Sequence, residues 1–338
     1  MRLSILAFTR RGCNLARRVK EALGPEEVRM MTMEKFGLPD FESYHPPLTE
    51  AVGELFSWCD QMVFIGSTGM AVRGIAPWVR DKKTDPGVLV IDEGGTYVIS
   101  LLSGHIGGAN ALTRRLAQAL GAQPIVTTAT DVEGKFSVDT WASEHGFRIG
   151  SMALAKAVSG EILEKDVPFL AERPVKGPIP RGLIEKSEGT LGIYIGVHTR
   201  APFEKTLRLY PKALVLGLGC RRGTPKEAIA QAVAGVLGEN GLCLEAVGSA
   251  ASIDLKADEQ GLLDFCAEKQ IPIRFYSAEE LRSVPGEFTP SSFVSSVTGV
   301  DNVCERAAAK SGGKIIVKKT AGQGVTVAVA EIDWEVSF

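Results

Sequence analysis

Long apolar runs are what this chain most conspicuously lacks. No stretch approaches the ~20 consecutive apolar residues that a membrane helix requires. The opening run Met1–Phe8 meets Thr9-Arg10-Arg11 almost at once. It is too short for a signal h-region or a span, so it reads as a first buried strand. The expectation is a cytoplasmic protein with no membrane partner. Charge of one sign is missing too: 38 Lys and Arg against 40 Asp and Glu leave a net −2. That balance argues against a nucleic-acid partner, so any anionic ligand must be met by local basic clusters. Six cysteines (13, 59, 220, 243, 266 and 304) form no Cys-x-x-Cys and no Cys/His cluster. Their scatter argues against a zinc site or a disulfide framework and fits reduced thiols. Histidine is scarce, with four in 338 residues.

What is present is a soluble globular composition, 45% hydrophobic and 23% charged. The length calls for two or three domains. Short apolar strands alternating with helices predict an α/β fold. The expected layout is an N-terminal α/β domain with an open, mainly parallel sheet over 1–134, a small middle segment over 135–210, and a C-terminal α/β domain over 211–338 that ends in a hairpin.

In the first of these, a strand at 2–8 leads to a helix ending at Leu23, stopped by Gly24-Pro25; residues 36–48 read as a loop. Met62–Gly66 is a strand that runs into Ser67-Thr-Gly-Met-Ala-Val-Arg73, and Val88–Glu93 is another. Thr96–Ser100 precedes Ser103-Gly-His-Ile-Gly-Gly-Ala-Asn110 and a helix over Ala109–Leu120, closed by Gly121 as a C′ glycine. A glycine pair where a strand turns into a helix leaves backbone N–H groups free for carboxylates, phosphates or oxyanions. Both glycine junctions follow strands, and ligands in open α/β sheets sit at the carboxyl ends of strands. The two are therefore expected to face one crevice, with Arg73 and His105 in it. Asp85, Asp92, Glu93, Asp131 and Asp139 fall at loop or strand ends, where solvation or capping is the ordinary role.

The last third restarts with a strand and Gly217-Leu-Gly219-Cys220-Arg221-Arg222-Gly223-Thr224-Pro225. Thr224 reads as an N-cap with Glu227 completing a capping box, and Ser277 with Glu280 repeats that spacing. The glycine triplet is one residue too long for a dinucleotide fingerprint, although Glu245 stands near the right distance for one. Cys220, before a helix start, would have a lowered thiol pKa or simply fill a tight turn. Arg221 and Arg222 are either carboxylate binders or solvated.

Taken together, Gly66–Pro77 with Ser103–Asn110, Gly217–Thr224, and Ser249–Glu259 with Gly324–Ala330 resemble the cobalt-precorrin-5A hydrolases of the anaerobic cobalamin pathway. The resemblance covers essentially the whole chain and is weakest in the middle segment. It implies a cobalt-corrinoid substrate whose δ-lactone is opened by water. The freed alcohol then fragments, releasing acetaldehyde. It implies no cofactor, since the cobalt arrives inside the substrate, and makes neighbouring cobalamin-pathway enzymes candidate partners. Chemistry nominates His105 as base, with Asp85 and Asp131 next. The N–H groups of Gly107 and Gly108, or of Thr68 and Gly69, are oxyanion candidates. Arg73, Arg221 and Arg222 would meet substrate carboxylates, with Gly104, Asn110, Cys220 and Thr224 completing the binding set. Two rivals stand beside this: a non-catalytic corrinoid carrier, and a nicotinamide-dependent oxidoreductase resting on the glycine triplet. Whether His105 ligates cobalt stays open.

Overall fold

Strand β1 (Arg2–Ala7) is the pivot of the first unit, buried from Leu3 to Ala7. The computed structural model describes residues 1–24, 26–45, 47–81, 84–105, 107–290, 300–322 and 324–338. Pro25 and Ile106, named in the sequence reading, and Pro46, inside the expected loop, lie outside them. The chain divides into units Met1–Thr140 and Trp141–Phe338.

In the first unit, α1 (Arg10–Leu23) returns the chain to β2 (Glu27–Met33). Thr9 caps α1, its hydroxyl accepting from Gly12 N–H at 3.0 Å. The expected loop at 36–48 contains a short strand, β3 (Glu42–Tyr44), paired beside β2. Three residues at a sheet edge carry too little periodicity to stand out in a proline-rich stretch. Then follow α2 (Leu48–Trp58), β4 (Gln61–Ile65), α3 (Thr68–Ile75), β5 (Gly87–Ile91), β6 (Tyr97–Leu102), α4 (Ala109–Leu120) and β7 (Gln123–Ile125). The seven strands form one sheet in the order β3-β2-β1-β4-β5-β6-β7. Side chains alternate between its faces. Leu3, Ile5, Val63, Ile65, Leu89 and Ile91 pack with α1 and α4, while Leu6, Met62, Phe64, Val88 and Val90 pack with α2 and α3.

Direction matters more than order here. Strands β1 to β5 are parallel, but β6 runs antiparallel to β5, pairing Val88 with Leu102 and Ile91 with Val98. Strand β7 is parallel to β6 and so is reversed with it. The carboxyl ends of β6 and β7 therefore lie at the edge where β4 and β5 begin. Gln61 and Gly107 mark this edge: the Gln61 side-chain amide donates to the Gly107 carbonyl.

Among the described residues the second unit contains two five-stranded sheets and a two-stranded one, in which β10 (Val175–Lys176) pairs in parallel with β19 (Val336–Ser337). Helix α7 (Met152–Glu164) and strands β8 (Arg148–Ile149), β9 (Val167–Ala171), β11 (Leu183–Glu185), β12 (Leu191–Ile195) and β13 (Lys205–Tyr210) build the first. Its order is β11-β9-β12-β13-β8, parallel except for β8. The second sheet joins β14 (Leu214–Cys220), β15 (Val247–Ile253), β16 (Ile273–Tyr276), β17 (Lys314–Gly322) and β18 (Val325–Glu331) in the order β16-β15-β14-β18-β17. The closing hairpin β17–β18 is the one the sequence predicts. Helices α8 (Lys226–Glu239) and α9 (Gln260–Glu268) cover one face; α10 (Ala278–Arg282) and α11 (Val303–Lys310) cover the other. Among the described residues no helix is long and apolar enough to cross a membrane.

Candidate active site

The junction between β6 and α4 is built by close backbone approach. Ser103 adopts a left-handed conformation at φ 52°, an uncommon choice for a side chain-bearing residue. Gly108, at φ 76°, is the N-cap of α4 and returns its N–H to the His105 carbonyl at 2.9 Å. A side chain on Gly104 would collide with the Asn110 amide, and one on Gly107 with Ser103 and Gly87. These glycines compact the turn so that His105 and Asn110 emerge side by side. Asn110 is buried; its Nδ2 donates to Thr128 Oγ1 at 3.1 Å and to Asp131 Oδ2 at 2.9 Å, and its Oδ1 accepts from Ser100 Oγ at 2.6 Å.

His105 is clamped between two carboxylates. Its Nε2 lies 3.2 Å from Asp131 Oδ2, in the short helix α5 (Ala129–Val132) after β7. Its Nδ1 lies 3.1 Å from Asp139 Oδ2, in the first turn of α6 (Val138–Glu144). Asp139 Oδ1 in turn accepts from Ser137 Oγ at 2.9 Å and Thr140 N–H at 3.2 Å. Arg114, one turn along α4 from Asn110, donates to Asp131 Oδ1.

Hydrogen bonds to Asp131 and then Asp139 raise the imidazole pKa to about 9, against the opposing effect of burial. The Asp131 carboxyl is held low by its bond to His105, with Arg114 adding to this. Burial pushes Asp139 upward, yet His105 and Ser137 hold it below its ordinary range. At neutral pH the cluster is an imidazolium between two carboxylates. The sequence reading nominates His105 as a base; in the structure both ring nitrogens meet carboxylates, which favour the protonated ring.

The shared crevice is corrected. Thr68, Gly69 and Arg73 open α3 at the carboxyl end of β4, while His105 follows the reversed β6 and lies at the opposite sheet edge. The five residues of β4 separate the two edges by about 16 Å at ~3.3 Å per residue. Thr68, Gly69 and Arg73 are exposed there. Asp85 lies on the His105 edge, but its Oδ2 accepts from Arg80 N–H at 2.8 Å, closing a turn, and among the described residues the side-chain partners of His105 are Asp131 and Asp139.

In the second unit, Gly217 and Gly219 lie inside β14 and not in a phosphate-binding turn. The space of a Gly217 side chain is filled by the Cys304 carbonyl, and that of Gly219 by the Thr326 hydroxyl. This removes the structural basis of the dinucleotide reading. Thr224 is not the N-cap: its hydroxyl donates to the Arg221 carbonyl at 2.7 Å, and α8 starts after Pro225 without a side-chain cap. The Ser277–Glu280 capping box does form. Burial raises the Cys220 thiol pKa, which goes against the first of its two readings, a thiol lowered by the helix start. Arg222 pairs with Asp258 at 3.0 Å, Arg221 rests on Gly324, and the buried Glu259 accepts from Gly223 N–H at 3.0 Å and Lys256 Nζ at 3.1 Å.

Asp139 and Arg114 are the members of this cluster that sequence reading did not bring to it. Arg114 was findable, because the i, i+4 spacing from Asn110 sets both on one helix face. Asp139 was seen only as an ordinary end-of-element acid.

Residues 50–131 match the family profile described as "Cobalamin synthesis G N-terminal", and residues 214–330 match "Cobalamin synthesis G C-terminus". A cobalt-precorrin-5A hydrolase of Salmonella typhimurium is 33% identical over 341 aligned residues, covering 96% of this chain and 96% of its own length. Another, of Priestia megaterium, is 32% identical over 98% of this chain and 95% of its own. Protein CobE of a Sinorhizobium species is 33% identical over 121 residues, which is 35% of this chain and 79% of that protein.

Proposed function

The chain belongs to the cobalt-precorrin-5A hydrolase family, and from that premise we propose that His105, Asp131 and Asp139 form the centre at which it opens the substrate lactone. The protein is an enzyme of cobalamin biosynthesis that hydrolyses cobalt-precorrin-5A. The observation that carries the assignment of the centre is the doubly bonded, charged imidazole at a strand-to-helix junction.

An imidazolium is an acid, so its first task is to give a proton. In lactone hydrolysis water attacks the carbonyl carbon, and the ring oxygen leaves as an alkoxide. Asp131, the more open of the two carboxylates, takes a proton from the water. His105 donates to the departing oxygen. Both transfers then reverse in the second step. Neutral His105 takes the alcohol proton as the carbon–carbon bond breaks and acetaldehyde leaves. The electron pair of that bond passes to the macrocycle, whose carbon receives the proton held by Asp131. Both groups end as they began. Asp139 stays ionised throughout and keeps the imidazole oriented. Since the Gly108 N–H is engaged with His105, Gly107 is the oxyanion donor we assign at this edge. In this reading Arg114 holds a substrate carboxylate. The reading keeps the enzyme cytoplasmic, with no metal of its own and with neighbouring pathway enzymes as partners.

The test is acetaldehyde trapping with purified enzyme and cobalt-precorrin-5A. Wild type should release one acetaldehyde per substrate consumed. His105→Ala should still bind corrinoid and lose turnover by ~10²–10⁴-fold, the usual share of a proton-transfer residue. A wild type that binds corrinoid but releases no acetaldehyde would be a carrier instead.

A further inference from the structure

We propose that His198, in the second unit, is the axial ligand to the cobalt of a bound corrinoid; the inference rests on the corrinoid-hydrolase function above. The residue stands just past the carboxyl end of β12, and it is 46% exposed at the side chain. Its Nδ1 meets Glu172 Oε1 at 2.8 Å. With Nδ1–H donating to that carboxylate, Nε2 carries the lone pair and points away from its partner. Metal-ligating imidazoles are commonly fixed in tautomer and orientation by a carboxylate in this way.

Glu172 is no casual surface partner. Only 13% of its side chain is exposed, and besides His198 Nδ1 it accepts from Val197 N–H and His198 N–H, each at 3.0 Å, and from the Tyr194 hydroxyl. Burial pushes this carboxyl upward, yet those donors hold its pKa below the usual range. A side chain at Gly196 would collide with the Glu172 carboxyl, so the glycine lets the carboxylate reach under the loop. The loop itself is pinned. Cys243 N–H donates to the Val197 carbonyl at 2.9 Å, and Thr199 N–H to the Gly241 carbonyl at 2.8 Å. The Arg208 guanidinium reaches the carbonyls of Arg200 and Thr199 at 3.0 and 3.1 Å. A buried carboxylate behind an exposed imidazole on a fixed loop is the arrangement a ligating histidine needs.

The remaining histidines do not offer it. His105 has both nitrogens engaged. His45 pairs with Glu34 on an open surface, with side chains 74% and 67% exposed. His145 stacks on Trp141 and uses Nδ1 on a backbone carbonyl at 2.9 Å. No group of three or more His, Cys, Asp or Glu able to hold a metal ion occurs among the described residues. None is required, because a corrin ring already supplies its cobalt with equatorial nitrogens and leaves only an axial position to fill. Arg200, exposed two residues on, is a cation of the kind that corrin carboxylates call for.

The probe is cob(II)inamide, a cobalt corrinoid with no attached axial base, mixed with the full-length protein. Retention is followed by gel filtration and the cobalt by electron paramagnetic resonance. Wild type should retain the corrinoid and show the three-line splitting of one axial nitrogen. His198→Ala should still retain it but lose that splitting, and added imidazole should restore it. Retention without nitrogen splitting in the wild type would overturn the assignment. So would a splitting that survives His198→Ala. Failure of the wild type to retain any corrinoid would instead overturn the functional reading, and this ligation with it.

Discussion

His105 gains its character from residues far along the chain. Asp131 and Asp139 close on it from 26 and 34 positions away. Folding raises the imidazole pKa from 6.5 to about 9. A group whose folded pKa is raised adds stability in full below its unfolded value, and that stability is lost as pH climbs through the folded one. Wild type should therefore lose on the order of 1–3 kcal/mol of unfolding free energy between pH 6.5 and about 9. His105→Gln should lack this decline. Urea unfolding at stepped pH checks it, and a level wild-type profile over that window would show that the clamp does not form. The histidine itself was legible, since flanking glycines before a helix start mark a backbone opening. Its charge was not. An isolated His-Ile-Gly-Gly carries no record of which acids fold onto it, and the same residues were compatible with a free base.

At the scale of elements, punctuation read well where the local chain decides it and poorly where a neighbour does. Helix α4 and its left-handed cap Gly121, the Ser277 capping box and the closing hairpin follow from adjacent residues alone. Thr224 has the same capping-box spacing, but its hydroxyl goes to Arg221, and the Thr224 carbonyl is packed against Gly261. The reversal of β6 was the costliest omission, and it did leave a mark. Only Asp92–Thr96 separates β5 from β6, a turn in which the Asp92 carboxylate accepts from Gly94, Thr96 and Tyr97 N–H. A connection that short cannot make a parallel crossover. Gly217 gives a prediction at this scale. The close approach of α11 to β14 leaves no room for a methyl group beside the Cys304 carbonyl. Gly217→Ala should lower stability by at least ~1–3 kcal/mol, the cost of overpacking. The melting temperature measures it, and an unchanged value would return Gly217 to a ligand-binding role.

The molecule as a whole carries a net charge of −2, so a polycarboxylate substrate depends on where individual cations stand. Arg114 borders the His105 cluster, whereas Arg73 is at the other edge of the same sheet. Arg114→Ala should weaken corrinoid binding by ~1–3 kcal/mol, the range for a charge-assisted bond, with the loss shrinking as salt rises. Arg73→Ala should bind as wild type does. Titration of both variants at two ionic strengths decides, and equal losses would place substrate across both edges. The central claim is that the intact enzyme works with His105 charged. Its most direct test is the pH dependence of acetaldehyde release at saturating cobalt-precorrin-5A. Activity should hold level through neutrality and fall on the alkaline side near pH 9, where the imidazolium loses its proton. Asp139→Asn should move that fall to lower pH. An activity that instead rises with an apparent pKa near 6.5 and stays high at alkaline pH, in both proteins, would contradict the account and make His105 a free base.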